Sequence, residues 1–183
     1  NDLQQSVNNL LPLAGEYIFG EGDTTMQEVV GNLLRSTGKT LATAESCTGG
    51  YLAHLITSIA GSSDYFKGSV VSYANEIKEK ILGVKAETLL VHGAVSEQTV
   101  KEMAAGARQL LGVDYAVSVS GIAGPAGGSA EKPVGATWIA VASPSGIIAR
   151  KFLLGEHRGR NIQRAAVLAL SMLRKKIIEE TGS

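Results

Sequence analysis

The chain has 183 residues, 44% of them hydrophobic, and its 17 Lys and Arg are balanced by 17 Asp and Glu. That length suits one globular domain with a substantial core, and the zero net charge excludes a protein that binds nucleic acid or an anionic membrane through bulk electrostatics. A single cysteine cannot close an internal disulfide, no Cys/His cluster has zinc spacing, and no apolar run spans a bilayer; a cytoplasmic protein without a structural metal is the expectation.

Residues 1–22 contain Pro12, Gly15, Gly20 and Gly22 without a sustained period, and read as a linker or N-terminal arm with a short extended piece at Glu16–Phe19. Asp23 or Thr24 can cap a helix, and Met26, Val29, Val30, Leu33 and Leu34 follow at helical spacing up to Gly38. Thr40–Ala44 has the apolar and β-branched content of a strand. The helical period resumes after Thr48 with Tyr51, Leu52, Leu55, Ile56 and Ile59 and stops at Gly61, which puts Ser46 at a strand-to-helix junction. Lys67–Tyr73 reads as a strand, Asn75–Leu82 as a short helix, and Lys85–His92 as irregular or one turn. Ser96 with Glu97 opens a helix through Val100, Met103, Ala104, Ala107, Leu110 and Leu111 that Gly112 ends. Asp114–Ser120 is a strand and Gly121–Pro133 a glycine-rich loop. Val134–Ala142 and Ile147–Leu154 form a hairpin across Ser143-Pro144-Ser145-Gly146, and a last helix runs from about Arg160 to Glu180. Helices alternating with strands, plus one antiparallel hairpin, predict a layered α/β/α domain over residues 23–181, with a mixed β-sheet covered by helices.

Three stretches can carry chemistry. In Glu45-Ser46-Cys47-Thr48-Gly49-Gly50, small residues before a helix expose backbone N–H groups that can stabilise an alkoxide, an oxyanion or a phosphate; the same residues also make an ordinary tight turn. In Tyr73-Ala74-Asn75-Glu76-Ile77-Lys78, Lys78 can serve as the base a serine nucleophile needs if burial lowers its pKa; otherwise it is a solvated helix lysine among Glu76, Glu79 and Lys80. Cys47 with His54 or His92 is the rival nucleophile and base, a small buried cysteine being the plainer account. In Ser118–Ser129, a strand runs into a glycine-rich loop of the kind that holds phosphate, or merely connects two strands. Arg150–Lys176 carries eight of the seventeen basic residues and one acid, Glu156; Arg158, Arg160 and Arg164 in it can clamp an anion or form a solvated face.

Thr43–Gly50, Ala60-Gly61-Ser62-Ser63, Tyr73–Lys78, His92-Gly93-Ala94-Val95-Ser96, and Ser120-Gly121-Ile122-Ala123-Gly124-Pro125 with Lys132-Pro133-Val134-Gly135, taken in this order, resemble the CinA C-terminal domain family. Its stand-alone members include nicotinamide-nucleotide amidases, and the match runs from about Thr24 to Leu173. The resemblance implies hydrolysis of the carboxamide of nicotinamide mononucleotide to nicotinate mononucleotide and ammonia, in pyridine-nucleotide salvage, with no cofactor and no metal. It implies Ser46 as nucleophile, Lys78 as base of a Ser-Lys dyad, Tyr73 beside them, and Cys47 as packing. Amides near Thr48, Gly49 and Gly50 are then the expected oxyanion donors. Asn75, Ser120, Gly121, Gly124, Gly128 and Arg158 are the further expected substrate contacts, the loop and Arg158 holding the 5′-phosphate.

Gly15–Asp23 resembles the segment that precedes this domain in long CinA proteins, which carry an additional N-terminal domain resembling molybdopterin-binding folds. With Asn1 at the start, the expectation is the C-terminal part of a longer protein, with that N-terminal domain as partner. The arm and the hairpin edge suit a homodimer. A non-catalytic nucleotide-binding or regulatory module, and a hydrolase of a different amide, are the competing expectations.

Overall fold

The computed structural model describes residues 5–7, 9, 18–20 and 22–182. Most of the expected arm lies outside these residues; of its extended piece, residues 18 and 19 are described and form no strand. Phe19 packs against the core, and the Ile18 carbonyl accepts a hydrogen bond from Arg174.

Residues 5–7 and 9 are helical, and the first helix of the domain, α1 (Met26–Thr37), starts where the Glu28 carboxylate accepts from the N–H and the hydroxyl of Thr25 and stops at Gly38 in the left-handed conformation. β1 (Leu41–Glu45) is buried along its whole length. After it come α2 (Tyr51–Thr57), a 3₁₀ turn (Ser62–Asp64), β2 (Phe66–Val71), α3 (Asn75–Leu82), α4 (Ala86–His92) and α5 (Glu97–Leu111). β3 (Tyr115–Gly121), β4 (Ala136–Ser143), β5 (Gly146–Leu153) and α6 (Arg158–Thr181) complete the order.

The five strands form one sheet in the order β2-β1-β3-β4-β5. β1 pairs parallel with β2 and β3, while β3–β4 and β4–β5 are antiparallel. α1, α2 and α6 cover one face, where Leu34, Leu41, Leu52, Ile56, Val117 and Leu170 share one core. α3, α4 and α5 cover the other, where Ala42, Ala44 and Ala116 meet Leu82, Leu89 and Met103. The alanines on that face leave room for α5 to lie close to the sheet. α5 also touches α3 at Gly106, where an added Cβ would fall 1.8 Å from the Leu82 carbonyl oxygen.

Three differences from the sequence expectation have a visible physical cause. Lys85–His92, expected as irregular or one turn, is a seven-residue helix from Ala86. A distant residue supports it: Glu102 on α5 accepts from the Lys85 N–H and the Thr88 hydroxyl, each at 2.8 Å, and buried Leu89 packs beneath. The hairpin turn is tighter than expected, because Ser143 pairs directly with Gly146. α6 begins earlier, at Arg158, because the His157 ring caps it by accepting the Arg160 N–H at 3.3 Å.

At the far end of the sheet, Glu180 accepts from Tyr115 (2.9 Å), Ser143 (2.6 Å) and Ser145, and Lys176 lies 3.4 Å from it. This cluster ties the last turn of α6 to β3 and to the hairpin. The chain leaves β1 on one face of the sheet and enters β3 from the other, so the carboxyl ends of β1 and β3 flank the crevice in which open α/β sheets bind ligands.

Candidate active site

Ser46 stands at that crevice. It is the first residue past β1, half-buried, and its N–H donates to the Val119 carbonyl of β3 at 2.9 Å. The turn that follows brings the chain round through Gly49 and Gly50, whose φ values of 60° and 97° lie in the region that favours glycine. The Gly49 N–H returns to the Ser46 carbonyl (3.1 Å), and the Gly50 N–H donates to the Glu45 carboxylate (3.0 Å). These two amides, expected as oxyanion donors together with that of Thr48, are therefore already occupied. Among the described residues, neither the Thr48 N–H nor the Cys47 N–H donates to another residue.

Cys47 is buried, and burial first, with the nearby Glu45 carboxylate adding to it, pushes its thiol up to about 12. It stays a thiol at neutral pH and is a poor nucleophile. His54 and His92 are exposed, and neither makes a hydrogen bond to Cys47; the His54 ring lies against Tyr51 instead, with centroids 6.1 Å apart.

Lys78 projects inward from α3 and is 1% exposed. On a helix of eight residues, Lys78 and Leu82 form the buried face. Its Nζ donates to the Ser72 carbonyl at 2.7 Å and to the Tyr73 carbonyl at 3.4 Å. Among the described residues no carboxylate pairs with it, and burial lowers its pKa from the ordinary 10.5. Ser72 is the link to the Ser46 turn, because its N–H donates at 2.8 Å to the carbonyl of Glu45, the residue before Ser46. Lys78 lies near enough to Cys47 that a charge on the lysine would favour the thiolate. Among the described residues Ser46 Oγ has no hydrogen-bond partner, so Ser46 and Lys78 are joined here through Ser72 rather than directly.

Arg158, the first residue of α6, closes another side. It donates to the Gly124 carbonyl at 3.0 Å and to the Tyr73 hydroxyl at 3.3 Å, and its charge reaches Cys47. Tyr73 is 63% exposed. Beyond Gly124, the glycine-rich loop bounds an open hollow of about 510 Å³ lined by Pro125, Gly127, Ser129, Val134 and Glu156. Asn75 begins α3, exposed and without a side-chain partner among the described residues.

Three expected substrate contacts, Ser120 and Gly121 at the end of β3 and Gly128 in the loop, have packing roles. The Ser120 hydroxyl, expected as a substrate contact, is 1% exposed and donates to the Ala94 carbonyl at 2.8 Å, away from the hollow. A Cβ on Gly121 would fall 2.6 Å from Thr137 Oγ1. Gly128 seats the loop on itself, since a Cβ there would meet the Val134 nitrogen at 2.8 Å.

Two residues at the site escaped the sequence reading. Glu45 is fully buried with its carboxylate at the start of α2. Asn161, 2% exposed, donates to the Ala123 carbonyl (3.0 Å) and the Gly155 carbonyl (2.8 Å), fixing where the loop begins relative to α6. The available signal was the same for both: a polar residue in an otherwise apolar register.

The profile of the CinA C-terminal domain matches residues 23–177, a span that holds every side chain of this site. The chain belongs to the CinA C-terminal domain family. A CinA-like protein of Cytophaga hutchinsonii is 50% identical over 97% of the chain and 43% of its own length. One of Thermotoga maritima is 47% identical over 94% and 42%. The chain thus spans less than half the length of these curated relatives. Among solved structures, a CinA superfamily protein of Klebsiella pneumoniae superposes with a TM-score of 0.81 at 35% identity, over 85% of this chain and 99% of its own. A competence/damage-inducible protein of Agrobacterium tumefaciens gives 0.77 at 39% identity, over 84% and 97%. The CinA fold is therefore that of the mixed sheet described above. Among the described residues, no helix of this CinA domain is long and apolar enough to cross a membrane.

Proposed function

We propose that this CinA domain is an amidohydrolase that converts nicotinamide mononucleotide to nicotinate mononucleotide and ammonia, with Ser46 as nucleophile and Lys78 as base. The observation that carries the reading is Lys78: a buried lysine without a carboxylate partner, shifted toward its neutral form, one peptide away from the Ser46 turn. Uncharged, Nζ takes the Ser46 Oγ proton, and the alkoxide attacks the carboxamide carbon. The unpaired Thr48 amide, with that of Cys47, supports the reading by offering donors to the oxyanion. Collapse of the tetrahedral adduct transfers the proton from Lys78 to the leaving nitrogen and releases ammonia. Water, deprotonated by Lys78, then cleaves the acyl-serine ester to the carboxylate and restores Ser46. Arg158 beside the glycine-rich loop supplies a cation for the 5′-phosphate.

The test is ammonia release from nicotinamide mononucleotide by the chain, alongside folded Ser46→Ala, Lys78→Ala and Cys47→Ala. The reading requires turnover that the first two substitutions abolish and the third retains. A folded parent that binds the nucleotide without turnover would instead make the domain a binding module.

A further inference from the structure

We infer that Glu45 is the positioning residue of the site: its carboxylate closes the Ser46–Gly49 turn into a fixed ring, and so determines which amides stay open beside the nucleophile. The inference rests on Ser46 being that nucleophile.

α2 is capped in an unusual way. Its cap position is Gly50, which has no side chain to offer, and no side-chain cap bond is made there. The acceptor comes from five residues upstream. Glu45 Oε2 takes the N–H groups of Gly50 and Leu52, each at 3.0 Å, while Oε1 takes that of Ala53 at 2.8 Å and the Ser69 hydroxyl at 3.4 Å. With no solvent exposure, this carboxylate replaces the water that the first turn of a helix would otherwise need.

Both ends of the nucleophile turn are thereby held by one residue. The main chain of Glu45 begins it, pinned by the Ser72 N–H at 2.8 Å and followed by the Ser46 N–H on Val119 at 2.9 Å. Its side chain ends the turn at the Gly50 N–H. An ordinary capping residue would fix the helix and leave the turn free; this arrangement fixes both. It also orders the amides: Gly50, Leu52 and Ala53 are spent on Glu45 and Gly49 on Ser46, which leaves those of Cys47 and Thr48. Through Ser72, the same residue is coupled to the carbonyl that holds Lys78.

Glutamine at this position keeps the shape but turns an NH₂ group toward backbone donors, so at least one buried amide loses its acceptor and the turn relaxes. Glu45→Gln should lower kcat on the order of 100-fold, with KM within about twofold and the alkaline rise of the pH profile unmoved, because Lys78 is untouched. A folded variant with unchanged kcat, or one whose loss lies in KM, would overturn the proposal. If Glu45→Gln does not fold, Glu45→Asp, which keeps the charge but is one methylene shorter, is read the same way; if neither folds, Glu45 only holds the fold and the proposal is lost. A substrate-independent readout separates this from the amidase reading: the rate at which a fluorophosphonate labels Ser46, followed by intact mass. Labelling of the parent without ammonia release, slowed in Glu45→Gln, would sink the amidase and keep the positioning role. A parent that neither labels nor turns over would end both.

Discussion

Lys78 Nζ lies 2.7 Å from the carbonyl oxygen of Ser72, on a helix face that solvent barely reaches. A carbonyl can hold an ammonium or accept from a neutral amine, but unlike a carboxylate it does not anchor the charge. Burial lowers the lysine pKa from 10.5, so a rise in kcat/KM with pH should have its midpoint below that value. Lys78→Arg, which cannot give up its proton, should lower kcat by about 10²- to 10⁴-fold. The linkage has a definite sign. A depressed lysine binds fewer protons in the folded state, so the wild type should gain stability relative to Lys78→Met as pH rises through the folded pKa toward 10.5. Thermal unfolding of both proteins across that window checks it; an opposite slope would mean a raised pKa.

Cys47 is adjacent to Ser46, the proposed nucleophile, and is itself inert. With its thiol pushed up to about 12 by burial, it should resist iodoacetamide in the folded protein and react once the chain is unfolded. Cys47→Ala should keep kcat within a few-fold and cost about 1 kcal/mol of stability. Rapid native alkylation accompanied by loss of activity would return the cysteine to the mechanism.

Arg158 bridges Gly124 and Tyr73. A charge-assisted contact of this type is worth about 1.5–3 kcal/mol, roughly a 10- to 100-fold change in affinity. Arg158→Ala should therefore raise KM for the mononucleotide by that factor, with a smaller effect on a nicotinamide substrate that lacks the phosphate. An equal loss on both substrates would place Arg158 at the carboxamide rather than the phosphate.

Glu180 sits far from this chemistry and controls acid stability. Burial opposes its ionisation, but hydrogen bonds from Ser143, Ser145, Tyr115 and Lys176 outweigh burial and take it down from 4.5 to about 2. Its stabilising contribution is present above 4.5 and should vanish as pH falls toward about 2. Thermal melts of Glu180→Gln and wild type should differ near neutrality and converge in acid, with kcat unaffected.

Gly106 offers a steric test of the Lys78 helix. A Cβ at that position meets the backbone of Leu82, which cannot rotate away, so Gly106→Ala should cost about 3 kcal/mol. It should also lower kcat, because Lys78 is one turn away on the same helix.

The layers, the mixed character of the sheet and the place of Ser46 were legible because each rests on local signals: an apolar strand, a glycine pair, a helical period. Lys78 was ambiguous for a local reason, since Glu76, Glu79 and Lys80 surround it in sequence, and Glu76 and Lys80 do pair on the outer face at 3.6 Å. Only the packing of α3 on α5 turns Lys78 inward. Glu45 and Asn161 could not be assigned, because their partners come from folding: a helix start for one, two loop carbonyls for the other. The α4 helix was missed because its support is Glu102, fourteen residues beyond Thr88. Ser120 was misjudged because alternation along a strand does not reveal which face carries a competing acceptor, here the Ala94 carbonyl.

The glycine-rich loop leaves β3 and returns through β4, its antiparallel neighbour. Its two ends are therefore held together by the sheet whatever lies between them, while Ser46 and Lys78 come from β1 and α3 on other parts of the frame. Under the proposed reaction, the loop and the groups that act on the amide thus reside on separately replaceable pieces of chain. Variation confined to residues 125–134 can then reshape the hollow that the loop bounds without moving Ser46 or Lys78, leaving a lineage of such domains free to change one wall while the rest of the frame stands still.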